Sequence, residues 1–392
     1  MRLLLLILAL CAAAAPLQAQ KGKKAPKRPR LDASADTNSW GAYYYHGLAR
    51  IDKHPEEAEA AFYWAARLDP VRSEPLYGRW IAFWASDVDK LARYMLGQRF
   101  IVESKDVVAI DSLLDAALLR DPFLHRTLER TLWDKLYEEA TGKIAMEWNR
   151  ADPYTRGWLS YTQGEVGRAA VSFREVLKKK PDNTQARIYL AKALYLMEEY
   201  DSAAVELGRV LDEMRKRDQK KLVYFYQSKA HMEYTVGMVH ARAGQWAKAK
   251  EAFGRALSED LSFSMAHSRL AEVALVAGDT TESLHEHELA VELRGDDPFL
   301  RFVYGAALLQ VRKHREAAEH FRKTVELEPH FAWAYFNLAL SLDMGGQYPD
   351  AVTNYKAFLA RAPRAMVEQV TLANDRIKEL DGMPALTVGG SR

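Results

Sequence analysis

Cysteine is nearly absent from this sequence: of 392 residues only Cys11 is one, and it lies inside an N-terminal apolar run. With that run set aside, a disulfide framework, a thiolate metal site and a cysteine nucleophile are excluded together. An excess of charge of one sign is also lacking, since 55 basic residues meet 53 acidic ones for a formal charge of +2. No P-loop, GxGxxG, GxSxG or HExxH can be read in any frame, which removes the common phosphate-cradling, dinucleotide, nucleophile-elbow and zinc-protease chemistries. What remains is 48% apolar and 28% charged. That is the profile of a chain able to bury a core.

Residues 1–20 read MRLLLLILALCAAAAPLQAQ. One Arg, an apolar run from Leu3 to Ala15, Pro16 and then Leu17-Gln18-Ala19 describe a secretory signal peptide over 1–19, too short to span a bilayer. Acylation at Cys11 is disfavoured, because Leu10 stands where lipoprotein signals have a small residue. The following KGKKAPKRPR, residues 21–30, holds six bases and no acid. Positive charge on that side of the run opposes export. Residues 20–38 are expected to be a basic, Pro-interrupted disordered linker. Setting aside Arg2 and those six bases leaves 48 of the 55 basic residues against 53 acidic ones. A body of that sign does not suit a general nucleic-acid binder.

A spaced pattern then recurs along the chain: a small residue, an aromatic four on, a small or β-branched residue three further, and a proline five beyond that. It occurs as Ala169, Phe173, Val176, Pro181; as Ala317, Phe321, Thr324, Pro329; as Ala58, Phe62, Ala65, Pro70; and, with a phenylalanine at the third place, as Ala351, Tyr355, Phe358, Pro363. Weaker copies start at Ala203, Ala249 and Ser283, and the leading positions from 169 to 351 are separated by 34, 46, 34, 34 and 34 residues. The small residues Gly157, Ala191, Gly237, Ala271, Gly305 and Ala339 repeat the same separations. Glycine within a helix costs roughly 1 kcal/mol against alanine, so its recurrence implies a close approach between helices.

Large-small in one helix, A-x3-F in the next and a closing proline at a 34-residue period resemble the tetratricopeptide repeat. The resemblance implies an all-α, right-handed α-solenoid of antiparallel helix pairs, with degenerate repeat-like helices over 39–149 and six repeats over 150–365. A capping helix is expected over 366–382 and a disordered tail over 383–392. Leu261 and Gly295 depart from the closing proline, and His287 from the aromatic. Within 39–149 the stretch 73–149, with WIAFW at 80–84, is irregular.

The resemblance also implies the kind of function: a non-enzymatic scaffold that binds a protein or peptide partner, with no cofactor, metal or nucleic acid, in the periplasm or another exported compartment. Groove positions fall one, four and eight residues after each repeat begins, giving Tyr154, Trp158, Lys192, Tyr234, Met238, Phe299, Phe302, Trp333 and Phe336. A mostly aromatic set suits an apolar peptide or helix laid along it. Lys192 stands nearly alone as a cation, which disfavours a clamp for an acidic terminus. Two alternatives stay open: a membrane-surface adaptor using 21–30 on anionic lipid, and an enzyme with its site in 73–149. His285-Glu286-His287 has the composition of a metal site, but residues two apart on a helix face different ways, so His287 is expected to be structural.

Overall fold

The computed structural model describes residues 25–88, 90–91, 104–124, 128, 130–132, 134–135, 152–218, 228–381 and 383. The expected signal peptide at 1–19 and nearly all of the tail lie outside them. Among the described residues there is no strand. No helix of theirs is long and apolar enough to cross a membrane. The helices run as antiparallel pairs: α1 (Trp40–Arg50) with α2 (Pro55–Leu68), then α3 (Glu74–Ala85) and α4 (Ser104–Arg120). Next come α5 (Pro153–Thr162) with α6 (Val166–Lys179), α7 (Thr184–Leu196) with α8 (Tyr200–Asp218), and α9 (Lys229–Arg242) with α10 (Trp246–Glu259). The array closes with α11 (Ser264–Val276) and α12 (Thr280–Leu293), α13 (Pro298–Gln310) and α14 (His314–Leu327), α15 (Ala332–Met344) and α16 (Tyr348–Leu359), and a last helix, α17 (Val367–Leu380).

Local chemistry sets where these helices start and turn. Asp152, Asn183, Ser228 and Asp279 cap the amides of Thr155, Ala186, His231 and Glu282, satisfying donors that a first turn leaves free. The residue that reverses the chain within each of the six pairs from α5 to α16 is left-handed: Gly164, Gly244, Gly278 and Gly346 have φ of 79, 72, 83 and 75°, and Glu198 and Arg312 take the equivalent place at 63 and 64°. That conformation is open to glycine and strained for other residues.

Packing within a pair explains the recurring small residue. A Cβ placed on Gly157, Gly237 or Gly305 would lie 2.9, 2.5 and 2.9 Å from the ring of Phe173, Phe253 and Phe321, sixteen residues on. The close approach is therefore helix backbone to phenylalanine ring. Where the first position is Ala191, Ala271 or Ala339, the residue sixteen on is Leu207, His287 or Tyr355. Glycine thus accompanies phenylalanine, and alanine accompanies other side chains. In the first pair Phe62 lies against two glycines, with Cβ positions on Gly47 and Gly78 falling 2.7 and 2.8 Å from its ring. Gly305→Leu is expected to cost about 1–3 kcal/mol by overpacking against Phe321, with the C-terminal pairs melting first. Thermal unfolding followed by circular dichroism checks this, and an unchanged melt would contradict the register.

The two ends of the array meet. Residues 25–38, expected as part of a disordered linker, are instead held against the first pair. Arg28 lies 5.0 Å from the Tyr43 ring centroid and 5.1 Å from that of Trp64, whose Nε1 donates to Pro26 O at 3.1 Å. Stacking of a guanidinium between two rings offsets part of the entropy lost by ordering the segment. From there Asp36 accepts from Arg364 N at 2.7 Å, and Asn38 Nδ2 donates to Ala362 O at 3.4 Å. Arg67 sits 3.0 Å from Glu328, and Trp64 packs edge-on to His330. At the far end α17 is pinned by Arg376, which donates to both oxygens of Asp343 at 2.7 Å.

Candidate partner-binding groove

First helices of successive pairs present the residues expected to form a groove, and the structure distributes them unequally. Trp333 is exposed and edge-on to Phe336; Tyr154, Lys192, Met238 and Phe302 are half-buried. Trp158, Tyr234, Phe299 and Phe336 are buried, which corrects the expectation of an open aromatic surface. Two physical causes are at work. Phe336 packs on Phe358 and Tyr355, Phe302 on Phe321 and Phe331, and Tyr154 on Phe173 and Tyr189, so these rings join neighbouring helices together.

Tyr234, which also packs on Phe253 and Phe263, and Phe299 are in addition covered by the chain's own segment Leu119–Leu124 at the end of α4. Tyr234 Oη donates to Leu119 O at 2.5 Å, and Arg269 Nη2 donates to Arg120 O at 3.4 Å. The Arg120 guanidinium lies 5.2 Å from the Phe299 ring centroid and donates to Asp297 Oδ1 at 3.3 Å and to Pro70 O at 3.1 Å. Both members of that ion pair are almost fully buried, at 6% and 7% side-chain exposure. Phe123 stacks on Tyr195 with ring centroids 3.7 Å apart and joins the apolar cluster that contains Trp158. Burial pushes the carboxyl of Asp121 up, although the Phe123 amide, Lys192 and Arg269 all favour its charged form. Lys192 is in this way occupied by a charge of its own chain.

The groove side is built independently of what fills it. Arg269 is fixed by Glu272 through two contacts of 2.8 Å, one turn along α11. Asp297 caps α13 by accepting from Phe299 N at 2.9 Å. Sequence reasoning missed Arg269, Glu272 and Asp297. Arg269 and Asp297 fall outside the three register positions, and at those positions the repeat from 264 carries Met265, Ser268 and Glu272, which give no aromatic signal. Arg120 was hidden in the irregular stretch, where Pro122 resembles a repeat's closing proline.

Other candidate chemistry resolves into structure. Glu286 pairs with His267 Nδ1 at 2.6 Å, while the adjacent His287 turns inward and stacks on Tyr304. Among the described residues no group of three or more His, Cys, Asp or Glu could hold a metal ion. Within 73–149 a second perturbed carboxyl, besides Asp121, is Asp115, pushed up to about 7 by burial and by Asp111 one turn away. Trp80 Nε1 donates to Asp111 at 3.5 Å.

An array of antiparallel helix pairs whose first helices hold a stretch of polypeptide is an α-solenoid of the interaction type. Models of the tetratricopeptide repeat match residues 161–223, 234–298 and 320–353. The chain is a tetratricopeptide-repeat protein. No curated protein matches its sequence. Among solved structures it is similar to the C-terminal part of a TPR repeat-containing protein from Cytophaga hutchinsonii, at 16% identity and TM-score 0.45 over 59% of this chain and 96% of that one. Similarity extends to Pseudomonas aeruginosa pilF, at 14% identity and TM-score 0.42 over 59% and 95% of the two chains. YrrB, described as a TPR protein with an unusual peptide-binding site, is 20% identical with TM-score 0.40 over 53% and 100%.

Proposed function

We propose that this protein is an exported, non-enzymatic scaffold that holds a protein or peptide partner against the first helices of its repeats, in the periplasm or an equivalent envelope compartment. One observation carries the reading. Side chains from α7, α9, α11 and the start of α13 are arranged to receive main-chain carbonyls, a cationic side chain and a ring, since they receive those of Leu119–Leu124. Groups that satisfy backbone acceptors and bury one anchor side chain are what a peptide groove requires. Export is supported by the apolar run and cleavage pattern of residues 1–19.

Affinity capture with the mature protein from an extract of its own envelope tests the proposal. The mature chain is expected to begin near Gln20, as N-terminal sequencing would read. A specific partner is expected to co-purify and to fall about tenfold with Trp333→Ala, at an unchanged melting midpoint because this ring is 38% exposed. Recovery of the intact Met1 terminus from the cytosol would sink the export part. Equal capture by Trp333→Ala would remove that ring from the binding surface.

A further inference from the structure

The segment Leu119–Leu124 has the attributes of a bound ligand more than those of a repeat. Its contacts in the repeats lie 72 to 177 positions away, as Phe123 to Tyr195 and Arg120 to Asp297 show, and Arg120 also reaches back 50 positions to Pro70 O. Its contacts are of the kind a docked peptide makes: two successive main-chain carbonyls are taken by side chains, an arginine enters a buried acceptor site, and an aromatic three residues on stacks face to face. The receiving side is set by its own helices, through the Arg269–Glu272 pair and the Asp297 cap. A site so fixed loses little freedom on accepting a ligand.

We propose that Leu119–Leu124 is an internal ligand, and that the partner of this groove is a peptide that presents arginine followed three residues later by an aromatic ring, taking the place of Arg120 and Phe123. This rests on the scaffold reading and gives it a partner chemistry. Asp297 and Phe299 form the subsite for the guanidinium, where an anion and a ring face together suit arginine over lysine. Tyr195 forms the subsite for the ring. Tyr234 and Arg269 hold the carbonyls of the residue before the arginine and of the arginine itself, a requirement that any sequence with this spacing meets. Because the tethered segment competes at an effective concentration in the millimolar range, of order 1 mM, an incoming peptide binds weakly until the segment leaves.

The test uses the full chain and, as probe, a fluorescent synthetic peptide with the sequence of residues 116–124, AALLRDPFL. Emptying the groove with Arg120→Ser and Phe123→Ser together is expected to tighten probe binding about tenfold or more over the parent chain. Adding Asp297→Asn to the emptied chain, or replacing the probe's arginine by alanine, is expected to abolish that gain. If the emptied chain is unstable alone, saturating probe is expected to raise its melting midpoint, as a ligand of the native state must. The proposal is overturned if the emptied chain melts as the parent does yet fails to bind the probe. It is equally overturned if the emptied chain does not fold and the probe restores nothing, since the segment is then ordinary core. Either failure leaves Trp333-dependent capture intact, so it is distinguishable from failure of the scaffold reading.

Discussion

Asp297→Ala is expected to lower the stability of the array by about 3–5 kcal/mol, because it leaves the Arg120 guanidinium buried without its counter-charge. A guanidinium cannot shed its charge, so the group must stay unpaired or pull the end of α4 out of the groove. The same substitution removes the cap on α13, a loss of about 1 kcal/mol. Asp297→Asn separates the two contributions, since asparagine still accepts from Phe299 N while the charge is gone. Arg120→Met combined with Asp297→Asn is expected to recover much of the loss, because neither member then remains charged. Urea unfolding of the set checks this. A loss below about 1 kcal/mol for Asp297→Ala would mean that Arg120 reaches solvent.

Acid is expected to unfold the C-terminal repeats through two histidines. His287 and His320 flank Tyr304, with ring centroids 5.5 and 4.3 Å from it, and the Nδ1 atoms of both are buried without a partner. Burial lowers each to about 4, helped at His287 by the His320 and Arg269 charges and at His320 by Arg301. Both are therefore neutral in the folded chain down to that pH, whereas the unfolded chain takes up protons below 6.5. The stability they contribute is present above pH 6.5 and is lost as pH falls toward 4. The loss by pH 4.5 is expected to reach about 2 kcal/mol or more. His267 works in the opposite direction: burial alone would lower it, but Glu286 and the Leu261 carbonyl raise it. His287→Leu is expected to flatten the acid dependence without a clash, because Ala191 and Leu207 already form that combination one sixteen-residue step apart. Melting midpoints of parent and variant at pH 7 and 4.5 decide it, and parallel shifts would show that the histidines are not responsible.

The repeats are legible in the sequence because their signal is local and periodic. Gly237 and Phe253 lie sixteen residues apart, and both the step and the chemistry recur; the structure gives them one ring-to-backbone contact. His287 could be read as structural for the same reason, since it fills the aromatic's place in a known register. What was not legible depends on parts of the chain distant in sequence. That Arg28 would be gripped by Tyr43 and Trp64, and Asp36 by the Arg364 amide, follows from the two ends of the array coming together, which no repeat length announces. Register alone gives the groove positions, and it cannot say that Tyr234 meets the Leu119 carbonyl and Phe299 the Arg120 guanidinium, two neighbouring residues of an irregular stretch. Exposed Trp333 and buried Phe299 occupy the same register position in adjacent repeats. Their difference lies in what the rest of the chain lays over them.

Cross-linking measures that covering directly. With Cys11→Ser the chain has no cysteine of its own, so Phe123→Cys and Tyr195→Cys, whose native rings stack at 3.7 Å, report on one contact only. A short bismaleimide is expected to join the two within one molecule in near-quantitative yield, and excess AALLRDPFL peptide is expected to reduce that yield. Absence of an intramolecular link in the folded chain would contradict the occupied groove on which this account rests.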